Sequence, residues 1–443
     1  MPIKLSDKFT IRRLLKFVTP CIAMMVFTSI YGVIDGLFVS NYAGKTQFAG
    51  INIIWPFVMI VGSVGFMIGA GGTAIVSKTI GEGRHDDANK YFSFLIYMTI
   101  ALGAALAVGG YFAVSPIATL LGAEGELHYY SALYGKILVI GIPLFMLQNV
   151  FQAFCTTAER PRFGFFVTLG AGLTNIVFDG VFVAALGMGI RGAAIASVMS
   201  QAVGALIPLA YFFARNGSLL RLTRCAFYGK VMLKTFTNGS SEFVGNVSGS
   251  VVSMLFNLQL MKLAGENGVA AYGVLMYVNF IYVAIFIGYS IGTAPIIGYN
   301  YGAGNAAELK NVFRKSLILM VIFGAVMTGL AEALSYPLSL LFVGYDAELL
   351  KMTERAFYIY SVVFLFAGVN IFGSSFFTAL NNGLVSALIS FLRTLVFQIA
   401  SVMLLPMLWG LNGVWLSGIT SEALATAVTV AFFVCLRKKY KYA

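Results

Sequence analysis

The chain has 443 residues, of which 59% are hydrophobic and only 10% charged, and its mean hydropathy is +0.88. That composition excludes a soluble globular domain and leaves a protein of the lipid bilayer. The formal charge of +12 would suit a nucleic acid only if the basic residues formed a patch; they follow the loops instead, so no nucleic-acid partner is expected.

Apolar runs of roughly 20 residues or more, enough to cross about 30 Å of hydrocarbon, recur twelve times, at about 14–39, 51–78, 92–113, 134–156, 164–186, 192–214, 236–262, 269–299, 313–335, 355–380, 385–408 and 413–436. With the N-terminus in the cytoplasm, 22 of the 29 Lys and Arg fall on the cytoplasmic side, six (Lys45, Lys136, Arg191, Lys262, Lys351, Arg355) fall outside, and Arg393 lies within the membrane. The positive-inside rule then places both termini in the cytoplasm. The first run has full spanning length and no cleavage site, so it is expected to remain as helix one.

Helix one carries Pro20 and, four turns later, Asp35. The proline removes a backbone hydrogen bond, so it is either a hinge that bends with the charge on Asp35 or an ordinary membrane-helix proline. Helix five carries Asn175 and Asp179 one turn apart and therefore on one face. At about 1.5 Å of rise per residue, Asp35, Asp179 and Ser197 of helix six fall in one layer of the outer half of the membrane. Two carboxylates, an amide oxygen and a hydroxyl are hard oxygen ligands, suited to sodium or a proton; the alternative is a hydrogen bond that locks helices together.

Charge inside a membrane span is a functional hypothesis by default. Besides the aspartates, the spans hold Glu242 in helix seven, Arg393 in helix eleven and Glu422 in helix twelve, with Glu332 near an outer end. Acids predominate, which favours a cargo of small organic cations, or coupling cations. Glu242, in the small polar stretch "NGSSEFVGNVSGSV", is expected either to meet cationic substrate or a second ion, or to pack and snorkel. Arg393 and Glu422 fall at one depth and are expected to pair as a structural salt bridge. Tyr134, Gln148, Asn149, Gln152, Asn257, Tyr272, Tyr277, Asn279 and Asn370 are the remaining polar and aromatic candidates for a cavity wall. His85 and His128 fall in expected loops, and Cys21, Cys155, Cys225 and Cys435 have no metal or redox spacing.

The chain repeats itself. "GGTAIVSKTIGEG" at residues 71–83 is matched by "GTAPIIGYNYGAG" at 292–304, and "GIRGAAIAS" at 189–197 by "GLNGVWLSG" at 410–418. The pairs Gly81 and Gly302, Gly83 and Gly304, Gly189 and Gly410, and Gly192 and Gly413 are all 221 residues apart. Six helices per unit make the two units parallel repeats: residues 1–214 and 236–443, joined by a basic linker at 215–235. The fold class expected is all-α, polytopic, with two pseudo-symmetric six-helix lobes. Ala400 stands at the counterpart of Asp179, and only serine, as in Ser253, near that of Asp35, so the acidic pair belongs to one lobe. Lobes of this kind rock about a central cavity and give alternating access.

These segments, with "TPCIAMMVFTSIYGVIDGLFVS" in helix one and "NIVFDGVFVAALGMGIRGAAIAS" in helices five and six, resemble the multidrug and toxic compound extrusion (MATE) family, and within it the bacterial branch of DinF and the MepA-type pumps. The resemblance implies a MATE-type fold and cation-coupled drug antiport. It also implies a hinge at Pro20, a cation site at Asp35, Asn175, Asp179 and Ser197, which would hold Na+ or a proton, and accessory roles for Tyr134, Asn149 and Gln152. In the NorM-like branch the coupling acids lie on helices seven and ten; Glu242 matches the first, but Asn370 stands where the second would be an aspartate. No cofactor beyond the coupling ion, no obligate protein partner and a monomer in the bacterial cytoplasmic membrane are what the family implies. A lipid-linked precursor flippase of the same superfamily is the alternative, disfavoured by an acidic cavity. An intramembrane enzyme finds no nucleophile and base together.

Overall fold

The computed structural model describes residues 3–42 and 44–442, and nothing is said of the side chains of residues 37, 40, 41 and 45. Among the described residues there is no strand. Helix α1 is Ile11–Tyr42, α2 is Lys45–Gly81 and α3 is His85–Leu120; α4 is a bent pair, Gly125–Ile140 and Ile142–Thr157; α5 is Pro161–Asp179, and α6 is Ile190–Phe213. The second half opens with one helical run, Gly229–Gly302. At 1.5 Å per residue it would reach roughly 110 Å, far more than a bilayer, so it must fold back. It does so at Gly265 (φ 60°, ψ −148°), which divides it into α7 (229–264) and α8 (266–302). Helix α9 is Ala306–Ala333, and a short helix, Ser335–Val343, leads to the bent pair α10, Ala347–Tyr360 and Val363–Ala379. A helix that starts at Gly383 continues into Gln398–Tyr440 and breaks at Trp409 and Gly410, giving α11 (383–408) and α12 (411–440).

Among the described residues there are therefore twelve helical spans long and apolar enough to cross a membrane, counting each bent pair as one, as the apolar runs imply. The structure adds a feature at α4 and α10, each read from sequence as one apolar run: they bend by 54° and 49°. Gly141 and the Ser361–Val362 step interrupt their hydrogen-bond ladders without any gap in hydropathy, so an apolar count passes over them. Large apolar side chains stay exposed on the outside, Leu120 at 84% and Met407 at 77% among them, as lipid-facing residues should.

The 221-residue repeat is visible in the turns. Gly189 and Gly410 adopt nearly the same backbone, φ 57° with ψ −138° and φ 53° with ψ −133°, a region closed to side chains with a Cβ. Each half has its own apolar core, Val39 to Leu220 in one and Val252 to Tyr442 in the other, the latter joined by Leu5, Phe9, Leu14, Phe17 and Val18.

The halves are sealed to each other on the face that carries both termini. Gly81 of α2 sits on the Tyr299 carbonyl of α8, and its repeat partner Gly302 sits on the Lys78 carbonyl. Gly71 of α2 likewise meets Thr235 and Gly239 of α7, while Gly292 of α8 meets Val18 of α1. Any side chain at these glycines would hold the backbones apart. Asn381 donates to the Ala74 carbonyl across the same seam (2.9 Å). The N-terminal segment straps the face, with Leu5 N–H donating to Glu159 of the first half (2.6 Å) and Phe9 N–H to Glu308 of the second (2.8 Å).

Candidate functional site

The first half brings its charged layer together by matched helical spacing. Phe27, Tyr31 and Asp35 lie four residues apart on α1, and Gly172, Asn175 and Asp179 share one face of α5. Gly172 lets α5 approach the rings of Phe27 and Tyr31, which sets the polar residues beyond them face to face. Asp35 comes within hydrogen-bonding reach of Asp179 and Asn175. Tyr134 of α4, 1% exposed, faces both carboxylates, and its hydroxyl meets Ser197 of α6. The helix widens into a π turn, Gly180–Ala185, immediately after Asp179, a feature frequent at functional positions.

The hydrogen-bond accounting of this cluster does not close. Asp179 is wholly buried and Asn175 is 2% exposed, yet both carboxylate oxygens of Asp179, Oδ1 of Asp35 and Oδ1 of Asn175 have no donor among the described residues. Ionised carboxylates only accept hydrogen bonds, so two of them facing each other satisfy nothing until a proton or a cation enters between them. Buried polar atoms are normally paired, and four orphan acceptors at one spot are what a positive guest would satisfy.

Asn149 is turned away from this cluster; its amide donates to the Phe145 carbonyl of its own helix (2.9 Å). Gln148, its neighbour, meets the Tyr31 hydroxyl instead. Tyr31 was not among the sequence candidates, although its place one turn before Asp35 on the same face was signal enough. Gln152 lies inside the first half, donating to Thr168 (3.4 Å). The helix runs unbroken through Pro20.

The second half contains a polar network of the opposite character. Arg393 Nε donates to Glu422 Oε1 (2.7 Å), Asn370 Nδ2 donates to Glu422 Oε2 (2.6 Å), and Thr429 donates to Asn370 Oδ1 (3.1 Å). Every group has a partner, so the network holds α10, α11 and α12 in register and asks for no ion. Asn370, fully buried, is thus spent on Glu422 rather than set in a cavity wall. Tyr272 stacks on Phe256 (5.1 Å) in the core, while Tyr277, 41% exposed, stacks on Phe342 (6.0 Å). Asn279 is half-buried. Glu242 stands apart: it shares a face of α7 with Gly245 and Gly249, where a Cβ would meet nothing within 4 Å, and the charge of Arg393 acts on it.

The family model MatE matches residues 20–181 and 243–404, one match in each half and together well over half the chain. The protein belongs to the MATE family. Among curated relatives, it is 22% identical to the multidrug export protein MepA of Staphylococcus saprophyticus, over 96% of this chain and 94% of that one, and 24% identical to MepA of Staphylococcus haemolyticus, over 97% and 94%. A solved structure described as the outward-facing conformation of a multidrug resistance MATE family transporter superposes with a TM-score of 0.92 at 19% identity, covering 98% of both chains. This MATE chain thus shares the two-lobe fold of that structure, and its doubled family match mirrors the repeat in its turns.

Proposed function

We propose that the protein is a secondary active efflux transporter that exchanges a proton or sodium ion for cationic, amphipathic drugs by alternating access between lobes 1–214 and 236–443, joined by the linker 215–235. The observation that carries this reading is the set of orphan oxygens on Asp35, Asn175 and Asp179. Ser197 and Tyr134 complete the coupling site. Two carboxylates among otherwise neutral oxygens suit a singly charged ion or a proton better than a divalent cation, which gathers more acids. The gradient does work because the ion binds one conformation better than the other.

The sealed terminal face and the open space beside Glu242 fit the outward-open arrangement, with both termini in the cytoplasm as the basic residues require. Glu242 is the group offered to a cationic drug, and Gln152, Tyr272, Tyr277 and Asn279 shape and support the lobes around it. Asn370 positions Glu422 and Arg393 behind that wall. Pro20 is the point at which α1 bends when the carboxylates change charge. The relatives' naming as multidrug export proteins agrees with this reading, which requires no cofactor and no second subunit.

The test is ethidium efflux from bacterial cells lacking their own pumps, at matched expression, with the proton and sodium gradients collapsed separately. Wild-type efflux that collapses with one gradient and is lost in Asp179→Asn is the expected result and names the ion. Undiminished efflux by Asp179→Asn would sink the acidic-pair mechanism.

A further inference from the structure

A second concave site lies outside the ion and drug machinery, on the terminal face at the seam between the lobes. It is a cavity of about 210 Å³ bordered by Lys78, Glu82 and Arg84 of the first half, Lys230 and Lys234 at the start of α7, and Asn381 of the second half. Its charge is unbalanced. Glu82 is its one acid, and that carboxylate is engaged by Arg84 and, at 3.6 Å, by Lys78. Lys230 and Lys234 have no carboxylate partner among the described residues. They stand at i and i+4 on one helix face, where like charges repel, so the arrangement is relieved by an anion between them. Helix α7 also starts here without a side-chain cap, adding unpaired N–H groups of the same sign. Phe227, 74% exposed, and Leu233, 65% exposed, add apolar surface on the same stretch of chain as these lysines.

We infer that this seam cavity binds a phosphate-bearing anion, held by Lys230 and Lys234 with Lys78 at the back. The positive-inside rule accounts for lysines on this face but not for their convergence on a cavity that spans both lobes. Ammonium groups bind phosphate as point charges, and basic pockets of this kind on the cytoplasmic side take lipid headgroups. A bound anion touches α2, α7 and the α10–α11 turn at once, so it holds the seam closed.

The experiment uses the full chain in an uncharged detergent and three probes, short-chain phosphatidylglycerol, phosphatidylcholine and inorganic phosphate, with binding measured by titration calorimetry. Binding of phosphatidylglycerol but not phosphatidylcholine assigns the site to anionic lipid; binding of inorganic phosphate assigns it to a soluble phosphorylated ligand. At about 1 kcal/mol per lysine, each Lys→Gln change weakens binding roughly five-fold, so Lys230→Gln with Lys234→Gln loses about 25-fold, and Lys→Arg at both positions retains it. Both side chains are exposed, and an unchanged melting curve without probe certifies the variants. Absence of binding by both phosphate probes, or equal binding by wild type and the double Gln variant, overturns the proposal. Transport enters neither readout, so the outcome is independent of the efflux reading.

Discussion

Asp179 is a wholly buried carboxylate with no donor among the described residues, next to a second carboxylate. Leaving a buried polar group unpaired costs about 1–3 kcal/mol, and more for a charge. The residue is therefore a liability to the empty protein, and under the proposed coupling role it becomes an asset when the ion binds. Asp179→Asn is expected to raise the melting temperature of the purified protein in buffer poor in the coupling ion, and to abolish the further rise that the ion gives the wild type. A variant that melts lower and still responds to the ion would contradict the site. Glu422 presents the reverse case, since all its partners are in place. Glu422→Ala strands Arg393 and Asn370 and should destabilise by about 3–5 kcal/mol, whereas replacing Arg393 and Glu422 together by leucine and methionine should cost much less. Thermal melting of the three proteins separates a structural pair from a functional one.

At the scale of elements, the hairpins depend on backbone that one residue type adopts. Gly265 turns a 74-residue helical run back through the membrane at φ 60° and ψ −148°, where a Cβ collides with its own peptide groups. Gly265→Ala is expected to lower stability by roughly 1–3 kcal/mol, read as an earlier melting transition and a lower yield of monodisperse protein. No neighbouring atom lies within 4 Å of that position, so the loss would report backbone strain and not crowding. The π turns belong to this scale too: one follows Asp179 and the other contains Arg393. Their local widening is set by packing, and nothing in the strings GVFVAA or LRTLVF announces it.

For the whole molecule, the proposed alternation requires the lobes to part at the seam. Gly71 lies against Thr235 and Gly239, so Gly71→Leu cannot close against α7. With a cysteine at Ser77, buried beside Gly298 in the wild type, labelling by a membrane-impermeant maleimide from the terminal face is expected to run several-fold faster in the Gly71→Leu background. Equal rates would mean that the lobes do not part at this seam. The N-terminal strap joins the same face through Glu159 and Glu308, one acid from each half. In the proposed alternation, opening of this face would release the strap as well as the glycine contacts.

Much of this protein is legible in its amino-acid order. Hydropathy gives twelve spans because each helix must satisfy its own backbone in lipid, and duplicated glycines give the repeat because left-handed turns admit little else. Charge in an apolar run points to Asp35 and Asp179 because burying it without a role is costly. Other features are decided only in three dimensions. That Gln148 and Tyr31 join the cluster while Asn149 turns to Phe145 depends on rotamers and helix rotation. That Asn370 serves Glu422, fifty-two residues away in the chain, depends on which helices pack together. Lys78, Lys230 and Lys234 border one cavity only because the two lobes meet. Periodicity records which faces are apolar, whereas satisfied and orphaned polar atoms are properties of the neighbours that tertiary packing supplies.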